Sequence, residues 1–488
     1  MPLKSISLFA VLVASGLLTP VHAQQSPATL PHDMHMHDHG SMQTVEPVYP
    51  RLGRAREQAT GKIFTLDDAQ RLASQSNPTL RQAEAEIRAA KARTQQASLY
   101  PNPSIGYTGD EIRGGSVNGG KQGFFVEQSI VTAGKLGKAR AVFEQQTRVA
   151  ELEAEEQKTR VETAIDIAYY RVLDAQELLE LRRDLTQIAL SYQQFQAQLA
   201  NTGQVDETEK LQSEIDVQQI RLAALKQENF LRQQWRVLAA VIGQPDLPQS
   251  IVAGDLEHGW PEIDQQKILD TITQHSPATR IATADTTRAS ADLTRAKSQV
   301  IPDLNLLGGL EHNYEPVGPV TRATGWEGLA ELSVQIPIFN RNQGNIAEAQ
   351  AELDRSQLET QRIQLLLRER AASVLDEYAT AMVIATQYRD EILPRAKKAN
   401  TLMTEKYGQM QANYLRMLDV RRKDFEVAAE YVQALETVWV SSLTLQGFLF
   451  TDGLEAPARS NSVDHAMPEI NAAQPTRIVL PTQQMPLP

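Results

Sequence analysis

Residues 178–199 read LLELRRDLTQIALSYQQFQAQL. The apolar side chains of this stretch recur at alternating spacings of three and four, which is a heptad pattern. Such a pattern places one apolar stripe of an α-helix against a neighbouring helix and imposes a left-handed supercoil on the pair. The stripe consists of Leu178, Leu181, Leu185, Ile188, Tyr192, Phe195 and Leu199.

The stretch lies inside a longer segment, residues 138–202, that contains neither glycine nor proline. As a helix this segment would be roughly 95 Å long at ~1.5 Å per residue, whereas helices of globular proteins average about a dozen residues. Gly203 follows it and precedes a second uninterrupted segment, residues 204–242. We therefore expect two long coiled helices with a chain reversal at Gly203.

The second half of the chain repeats this organisation. Residues 345–407 are broken only by Pro394, and Gly408 separates them from the uninterrupted segment 409–446. Gly203 and Gly408 are 205 residues apart, and the similar helix starts at Pro78 and Pro277 are 199 apart. Near-equal offsets predict an internal duplication of about 200 residues. The apolar stripe of the last helix consists of Leu418, Phe425, Ala428, Val432, Leu435 and Trp439.

Between the helical segments lie two Gly/Pro-rich stretches, residues 100–131 and 301–339, each of which is typical of two strands around a polar loop. One face of the clearest strand carries Trp326, Gly328, Ala330, Leu332, Val334 and Ile336, and the other carries Glu327, Glu331, Ser333 and Gln335, with Leu329 as the exception. In the first stretch Phe124, Val126 and Ile130 oppose Glu127 and Ser129.

This alternation fits either a transmembrane β-strand or a half-buried strand of a soluble sheet. The transmembrane interpretation is favoured because two isolated hairpins attached to very long helices have no sheet of their own to complete. Four strands cannot close a barrel, since small barrels need about eight. The barrel would therefore be assembled from several chains, with twelve strands from three copies or sixteen from four.

The N-terminus and the composition bound the class of protein. Residues 1–23 have the basic start, apolar stretch and small-residue cleavage site of a secretory signal, rather than a span long enough for a membrane anchor. After it, no run approaches ~20 apolar residues, so no helix is expected to cross a bilayer. The chain has no cysteine, which excludes disulfides and thiolate chemistry, and its net charge of −12 argues against a nucleic-acid partner.

Several sequence features resemble the TolC-like outer-membrane efflux factors over about residues 63–450. They are the duplicated starts at Asn77-Pro78 and Ser276-Pro277, YPNPSIGY, IPIFNRNQGNIAEAQAEL, ILPRAKKANTLMTEKYG and LRMLDVRR. IPIFNRNQG resembles in particular the heavy-metal branch, which serves cobalt–zinc–cadmium and copper–silver exporters. The resemblance implies a mainly α-helical homotrimer with a 12-strand barrel in the outer membrane of a Gram-negative bacterium and a helical tunnel through the periplasm. It also implies a periplasmic adaptor and an inner-membrane proton-driven pump of the RND type as partners. The lipidated N-terminal cysteine of some relatives is missing here.

In this family the helix tips close the periplasmic end, and acidic residues there bind cations. The matching positions are Asp206, Glu207 and Glu209 after the first reversal and Asp419 after the second. Three-fold symmetry would turn each into a carboxylate ring that favours cations. Arg416 stands near where relatives place a second acid, and pairing with Asp419 or Glu209 would lock the closed tips. The alternative is a solvated helix face with ordinary i,i+4 pairs.

A His/Met-rich tract at residues 30–42 contains His32, Met34, His35, Met36, His37, His39 and Met42. Imidazole and thioether groups suit copper, silver, nickel and zinc, with the methionines favouring copper or silver. The tract is expected to be flexible, so its affinity would be modest. An incidentally His-rich leader is the alternative.

Two other patterns do not carry chemistry. Met403, Met410 and Met417 are spaced by seven near the second reversal, and heptad core filling explains them better than a Cu(I) ladder. GSVNGGK at 115–121 lacks the Ser or Thr of a phosphate-binding loop and lies between strands rather than before a helix. No enzyme and no cofactor are expected.

The sequence therefore predicts a trimeric exit duct of a tripartite exporter of metal cations such as copper, silver, zinc, cobalt or cadmium, gated at its helix tips. Export of drugs or solvents is the alternative cargo, and a periplasmic coiled-coil scaffold or adhesin without a pore is the alternative class. The predicted organisation is a signal peptide 1–23, a His/Met-rich segment 24–62, a first repeat 63–242 with a hairpin at 103–131, a linker 243–262, a second repeat 263–450 with a hairpin at 303–338, and a disordered tail 451–488.

Overall fold

The computed structural model describes residues 49–50, 52–53, 63–112, 120–201, 206–316, 323–409, 411–412 and 414–457. This part of the chain is mainly helical with four antiparallel strands, which confirms the predicted fold class at that level. The signal peptide, the His/Met-rich tract, Gly203 and Met410 lie outside the described residues.

The helices follow one another along the chain with two very long members. In chain order they are α1 Leu66–Ser76, α2 Pro78–Ala97, α3 Lys135–Asn201, α4 Glu207–Ile242, α5 Gln265–His275, α6 Pro277–Ser298, α7 Gln343–Gln387, α8 Leu393–Gly408 and α9 Tyr414–Gln446. Helix α3 has 67 residues and is about 100 Å long at ~1.5 Å per residue. Across the described ranges, none of these helices has a stretch apolar and long enough to cross a lipid bilayer.

Four strands form one antiparallel sheet in chain order: β1 Ser104–Asp110, β2 Lys121–Ile130, β3 Leu304–Pro316 and β4 Ala323–Val334. Phe124 is opposite Tyr107 of β1 on one side and Leu310 of β3 on the other. Strands from both halves of the chain therefore meet at the β2–β3 pair.

The order of two helices, two strands and two long helical segments occurs twice in the described chain. The matching starts are built alike. Asn77 caps α2 by accepting a hydrogen bond from the Thr79 amide, and Ser276 caps α6 by accepting one from the Thr279 amide. Proline follows at the first helical position in both cases, where its missing N–H is not needed.

The predicted stripe of α3 is buried from Leu178 to Tyr192, and the predicted stripe of α9 is buried throughout. Phe195 differs, because 37% of its surface is exposed in the single chain. The neighbouring helices therefore cover the stripe as far as Tyr192 and leave Phe195 half-covered near the helix end. The side chain of Leu199 lies outside the described residues.

The long helix of the second half is not one continuous α-helix. A π-helical turn, Tyr388–Ile392, separates α7 from α8, and the Leu393 amide bonds to the Tyr388 carbonyl. Pro394 lies directly behind this turn and has no N–H, and its ring would clash with the carbonyl four residues before it in a regular helix. The wider turn accommodates the proline without breaking the helical course.

The segment between the two halves is packed. Phe64 forms a parallel bridge with Val252, and its amide and carbonyl bond to Ile251 and Ala253 at 2.9 Å each. Tyr169 of α3 donates to the Ala253 carbonyl, and Trp439 of α9 donates to the Leu256 carbonyl at 3.0 Å. These bonds fix the segment across the middle of α3 and the C-terminal part of α9.

The expected tail also begins later than residue 451. Gln157 of α3 donates to the Glu455 carbonyl at 3.1 Å, and Arg160 pairs with the Glu455 carboxylate. The chain is therefore tied to α3 as far as Glu455, and residues 458–488 lie outside the described residues.

Candidate functional site

One face of the four-stranded sheet is apolar and open. Trp326 is 72% exposed and Leu332 is 69% exposed, although both are large apolar residues in the sheet. The strand register puts them on one face with further exposed residues, as the alternation predicted. These are Ile105, Tyr107, Phe124, Val126, Leu306 and Leu310. An exposed apolar surface of this kind is typical of a site that contacts lipid or another protein.

The opposite face of the sheet carries the charged side chains. Lys121 lies 3.2 Å from Glu327 and 3.6 Å from Glu311, and Asn313 donates to Glu327 at 3.0 Å. Leu329 lies on this polar face, as the sequence indicated. His312 departs from the pattern, because it lies on the apolar face with its ring 5.3 Å from the ring of Trp326.

The sheet is joined to α3 by an ion pair between the two halves of the chain. The Lys135 ammonium lies 2.9 Å from Oδ1 of Asp303, which also accepts from the Thr132 amide at 2.9 Å. Lys135 begins α3 and Asp303 precedes β3. This contact fixes the angle at which the sheet meets the long helix.

The first predicted gate group lies at the start of α4. Asp206 is the N-cap residue, without a side-chain cap bond, and Glu207 and Glu209 lie in the first turn. All three are exposed. The helix dipole favours carboxylates at this position. Because the three side chains are exposed, they are also accessible to a ligand.

The second predicted group lies in the first turns of α9. Asp419 is 76% exposed, and its Oδ1 lies 3.7 Å from Arg422, which also reaches Glu426 at 3.6 Å. These are ordinary pairs along the surface of one helix. Arg416 is exposed in the same turn.

Gly408 is the last residue of α8 and does not have a positive φ. The conformational freedom specific to glycine is therefore not used at that position. Met417 is fully buried, as expected for a heptad core residue.

Tyr192 connects the two groups. It is buried, and Gln196 donates to its hydroxyl. Burial raises the pKa of Tyr192, the Gln196 bond opposes this, and Glu209, Asp216 and Tyr407 raise it further. Glu209 of α4 and Tyr407 of α8 therefore both contribute to the raised pKa of this one side chain.

Two buried carboxylates halfway along α3, Asp174 and Glu177, were not predicted from the sequence. Burial, together with Glu436 and Glu177, raises the pKa of Asp174 to about 8. Burial raises the pKa of Glu177 to about 7, against the effect of a hydrogen bond from the Gly53 amide. The sequence did contain a signal for their burial, because both acids lie between the apolar residues Leu173 and Leu181 of one helix.

A metal site is not formed by the residues that the structure describes, since they contain no group of three His, Asp or Glu side chains able to hold an ion. The predicted ligands His32, Met34, His35, Met36, His37, His39 and Met42 lie outside these residues.

Comparison with known proteins matches this arrangement. Residues 70–244 match the family described as outer membrane efflux protein. The cobalt-zinc-cadmium resistance protein CzcC of Cupriavidus metallidurans is 22% identical over 403 residues, which are 83% of this chain and 92% of that protein.

Solved outer-membrane channels share the fold. A CusC structure, from a study of folding and transmembrane channel formation, has a TM-score of 0.63 at 16% identity and covers 79% of this chain and 91% of its own. The CmeC outer membrane channel of Campylobacter jejuni has a TM-score of 0.64 at 16% identity, with 80% and 86% covered.

The outer-membrane location and the transport rather than enzymatic character expected from the sequence agree with the description of the matched family. Residues 70–244 therefore match the outer membrane efflux protein family, and the chain has the fold of solved outer-membrane channels over most of its length.

Proposed function

We propose that three copies of this chain form the exit duct of a tripartite efflux system for heavy-metal cations. The observation that carries the proposal is the four-stranded sheet, which exposes an apolar face and is joined directly to a 67-residue helix. A membrane wall must satisfy its backbone groups internally, which requires a closed sheet. Three copies supply twelve strands with the charged face, including Lys121 and Glu327, turned to a wet interior.

Exposed apolar stripes on the long helices support assembly from several copies. Leu211, Ile215 and Leu222 share one face of α4, and Leu358 and Leu365 share one face of α7. Each is at least half exposed in the single chain. Packing of the α4 stripe of one copy on the next copy would bury them, as heptad neighbours do elsewhere in the fold. The repeated element order supports an internal duplication as the origin of this arrangement.

The proposed gate lies at the helix tips, near the starts of α4 and α9. Glu209 and Asp419 are exposed acids near the two reversals, and three-fold symmetry would arrange each as a ring. Such rings concentrate negative potential at a constriction and favour cations. An adaptor and a proton-driven pump would pull the tips apart, with the pump supplying the energy.

The heavy-metal cargo is supported by CzcC, whose name states resistance to cobalt, zinc and cadmium, and by the His/Met-rich tract at 30–42. Soft and borderline ligands in that tract would collect copper, silver or zinc on the periplasmic side. Export of organic toxicants is the second candidate, favoured by the many exposed apolar residues along the helices.

Two measurements test the proposal. Purified protein in a planar lipid bilayer is expected to form pores that conduct more when Glu209 and Asp419 are replaced by Ala. Absence of conductance from the wild type and every tip variant would overturn the duct. Deletion of residues 30–42 is expected to lower tolerance to copper or silver while leaving pore formation intact. Unchanged metal tolerance, with drug tolerance lost in a full knockout, would replace the metal cargo by an organic one.

A further inference from the structure

We infer that Tyr49, Pro50, Leu52 and Gly53, called the strap below, hold α8, the helix of the second tip, against α3 and so keep the duct closed. This rests on the proposed function, since it names a contact that must be released when the tips part. The strap has an outer end on α8 and an inner end on α3, and α8 follows a π-helical turn about which it can move.

The outer end of the strap is Tyr49. Its hydroxyl lies 2.9 Å from Oγ1 of Thr401, and its ring lies 4.8 Å from the ammonium of Lys397. Thr401 and Lys397 are four residues apart on one side of α8. The tyrosine therefore covers one full turn of this helix with two different interactions, a hydrogen bond and a cation–π contact.

The inner end is Gly53. Its amide donates to Oε2 of Glu177 at 2.7 Å, and Glu177 is buried in α3. Leu52 packs against the main hydrophobic core beside it. Because a buried carboxylate strongly prefers to keep a donor, this end is anchored. Tyr49, which is only partly buried, is the end that can dissociate.

Helix α8 has a place to pivot. The π-helical turn Tyr388–Ile392 interrupts the regular hydrogen-bond ladder directly before it, with Pro394 behind. The turn itself is held, because Tyr388 donates to Glu430 of α9 at 2.7 Å and Arg389 lies over the Trp260 ring at 5.2 Å. Turns of this kind bend more readily than α-helix.

Beyond the pivot, α8 and the start of α9 are tied together. Asn400 donates to Asp424 at 2.7 Å, and both side chains are buried. The two helices of the second tip would therefore swing as one unit about the π-helical turn. Tyr49 bridges this unit to the α3 body, so a swing away from α3 must break its contacts with Thr401 and Lys397.

The test is conductance of purified full-length protein in planar lipid bilayers with potassium chloride as the permeant salt. Tyr49→Ala is expected to raise the fraction of time spent conducting by about five-fold, the factor that loss of one hydrogen bond from the closed state gives. Tyr49→Phe keeps the ring over Lys397 and loses the hydroxyl, so its rise is expected to be smaller. Thr401→Val should match Tyr49→Phe, and the two changes together should not add, because they remove the same bond. Thr271→Val, on the surface of α5, serves as the control.

A covalent strap gives a second readout. The chain has no cysteine, so Tyr49→Cys with Thr401→Cys provides the only thiols for a short bismaleimide. The double variant is expected to conduct more than the wild type, and cross-linking should return it to the wild-type level.

Wild-type conductance in Tyr49→Ala and Thr401→Val, together with raised conductance in Asp419→Ala, would overturn the strap and leave the duct intact. No conductance from any variant, including Asp419→Ala and Glu209→Ala, would overturn both. A cross-linked double variant that conducts as freely as the uncross-linked one would also overturn the strap.

Discussion

The backbone amide of Gly53 donates a 2.7 Å hydrogen bond to the Glu177 carboxylate, across 124 residues of sequence. It connects the segment before the first repeat to the buried centre of α3. Glu177 shares that centre with Asp174, and burial holds the pKa of both acids well above the ordinary range, at about 7 and about 8. The centre of the helical body is therefore sensitive to pH.

Asp174→Asn should stabilise the protein at pH 8 and flatten its pH dependence. The folded-state pKa of Asp174, about 8, is raised above the ordinary value of 3.8. The folded protein therefore binds this proton more tightly than the unfolded chain does. As a result, the free energy of unfolding falls as pH rises from about 4 through about 8. Each pKa unit corresponds to about 1.4 kcal/mol. The amide of Asn removes this loss because it carries no ionisable proton.

Thermal unfolding of detergent-solubilised protein between pH 5 and pH 8 measures the effect. We expect the midpoint of Asp174→Asn to exceed that of the wild type by more at pH 8 than at pH 5. Glu228→Gln, on the exposed side of α4, is the control and should follow the wild type. A difference that is equal at both pH values would contradict the assignment.

Leu332→Arg should impair membrane insertion far more than Leu329→Arg. The two leucines lie three residues apart in β4, Leu332 on the apolar face and Leu329 on the charged face. An arginine facing lipid near the bilayer centre costs about 2–4 kcal/mol, whereas one facing a wet interior costs little. Refolding into lipid vesicles across a urea series measures both variants, and equal midpoints would contradict a lipid-facing Leu332.

Pro394→Ala should convert the π-helical turn into regular helix. The alanine supplies the missing N–H and removes the ring that clashes with the preceding turn. Hydrogen exchange of amides in 388–394 is expected to slow by about ten-fold, as for a gain of about 1.4 kcal/mol in local stability. Pro248→Ala, in the segment between the repeats, is the matched control. Unchanged exchange would show that packing of Tyr388 and Arg389, not the proline, holds the turn open.

Asn400→Ala should destabilise the second tip, and more so at high pH. Burial raises the pKa of Asp424 and the Asn400 hydrogen bond lowers it, so removal of the amide raises this pKa further. Asp424 then ionises without a hydrogen-bond donor, which lowers the free energy of unfolding by about 2 kcal/mol when the carboxylate is charged. Stability should fall as pH rises through the new pKa.

Chemical denaturation of Asn400→Ala at pH 5 and pH 8 checks this, with Asp424→Asn added as the second change. We expect the added change to restore stability at pH 8 in particular, since it removes the charge. A double variant no more stable than Asn400→Ala alone would contradict the role of the Asp424 charge.

The sequence alone determined the features that repeat at short range. The spacing of three and four in 178–199 identified a coiled helix, the alternation in 326–336 identified a two-faced strand, and Asn77-Pro78 and Ser276-Pro277 marked helix starts. Each of these patterns is set by the geometry of one element, so neighbouring residues are enough to reveal it.

Which distant groups meet depends on how the helices pack in three dimensions. That packing places the Gly53 amide on Glu177 and the Tyr49 hydroxyl on Thr401. The same chemical groups would be solvated on an isolated helix. Their burial, and with it the raised pKa of Asp174, follows from how α3 packs against the rest of the chain, and a one-dimensional pattern does not contain that information.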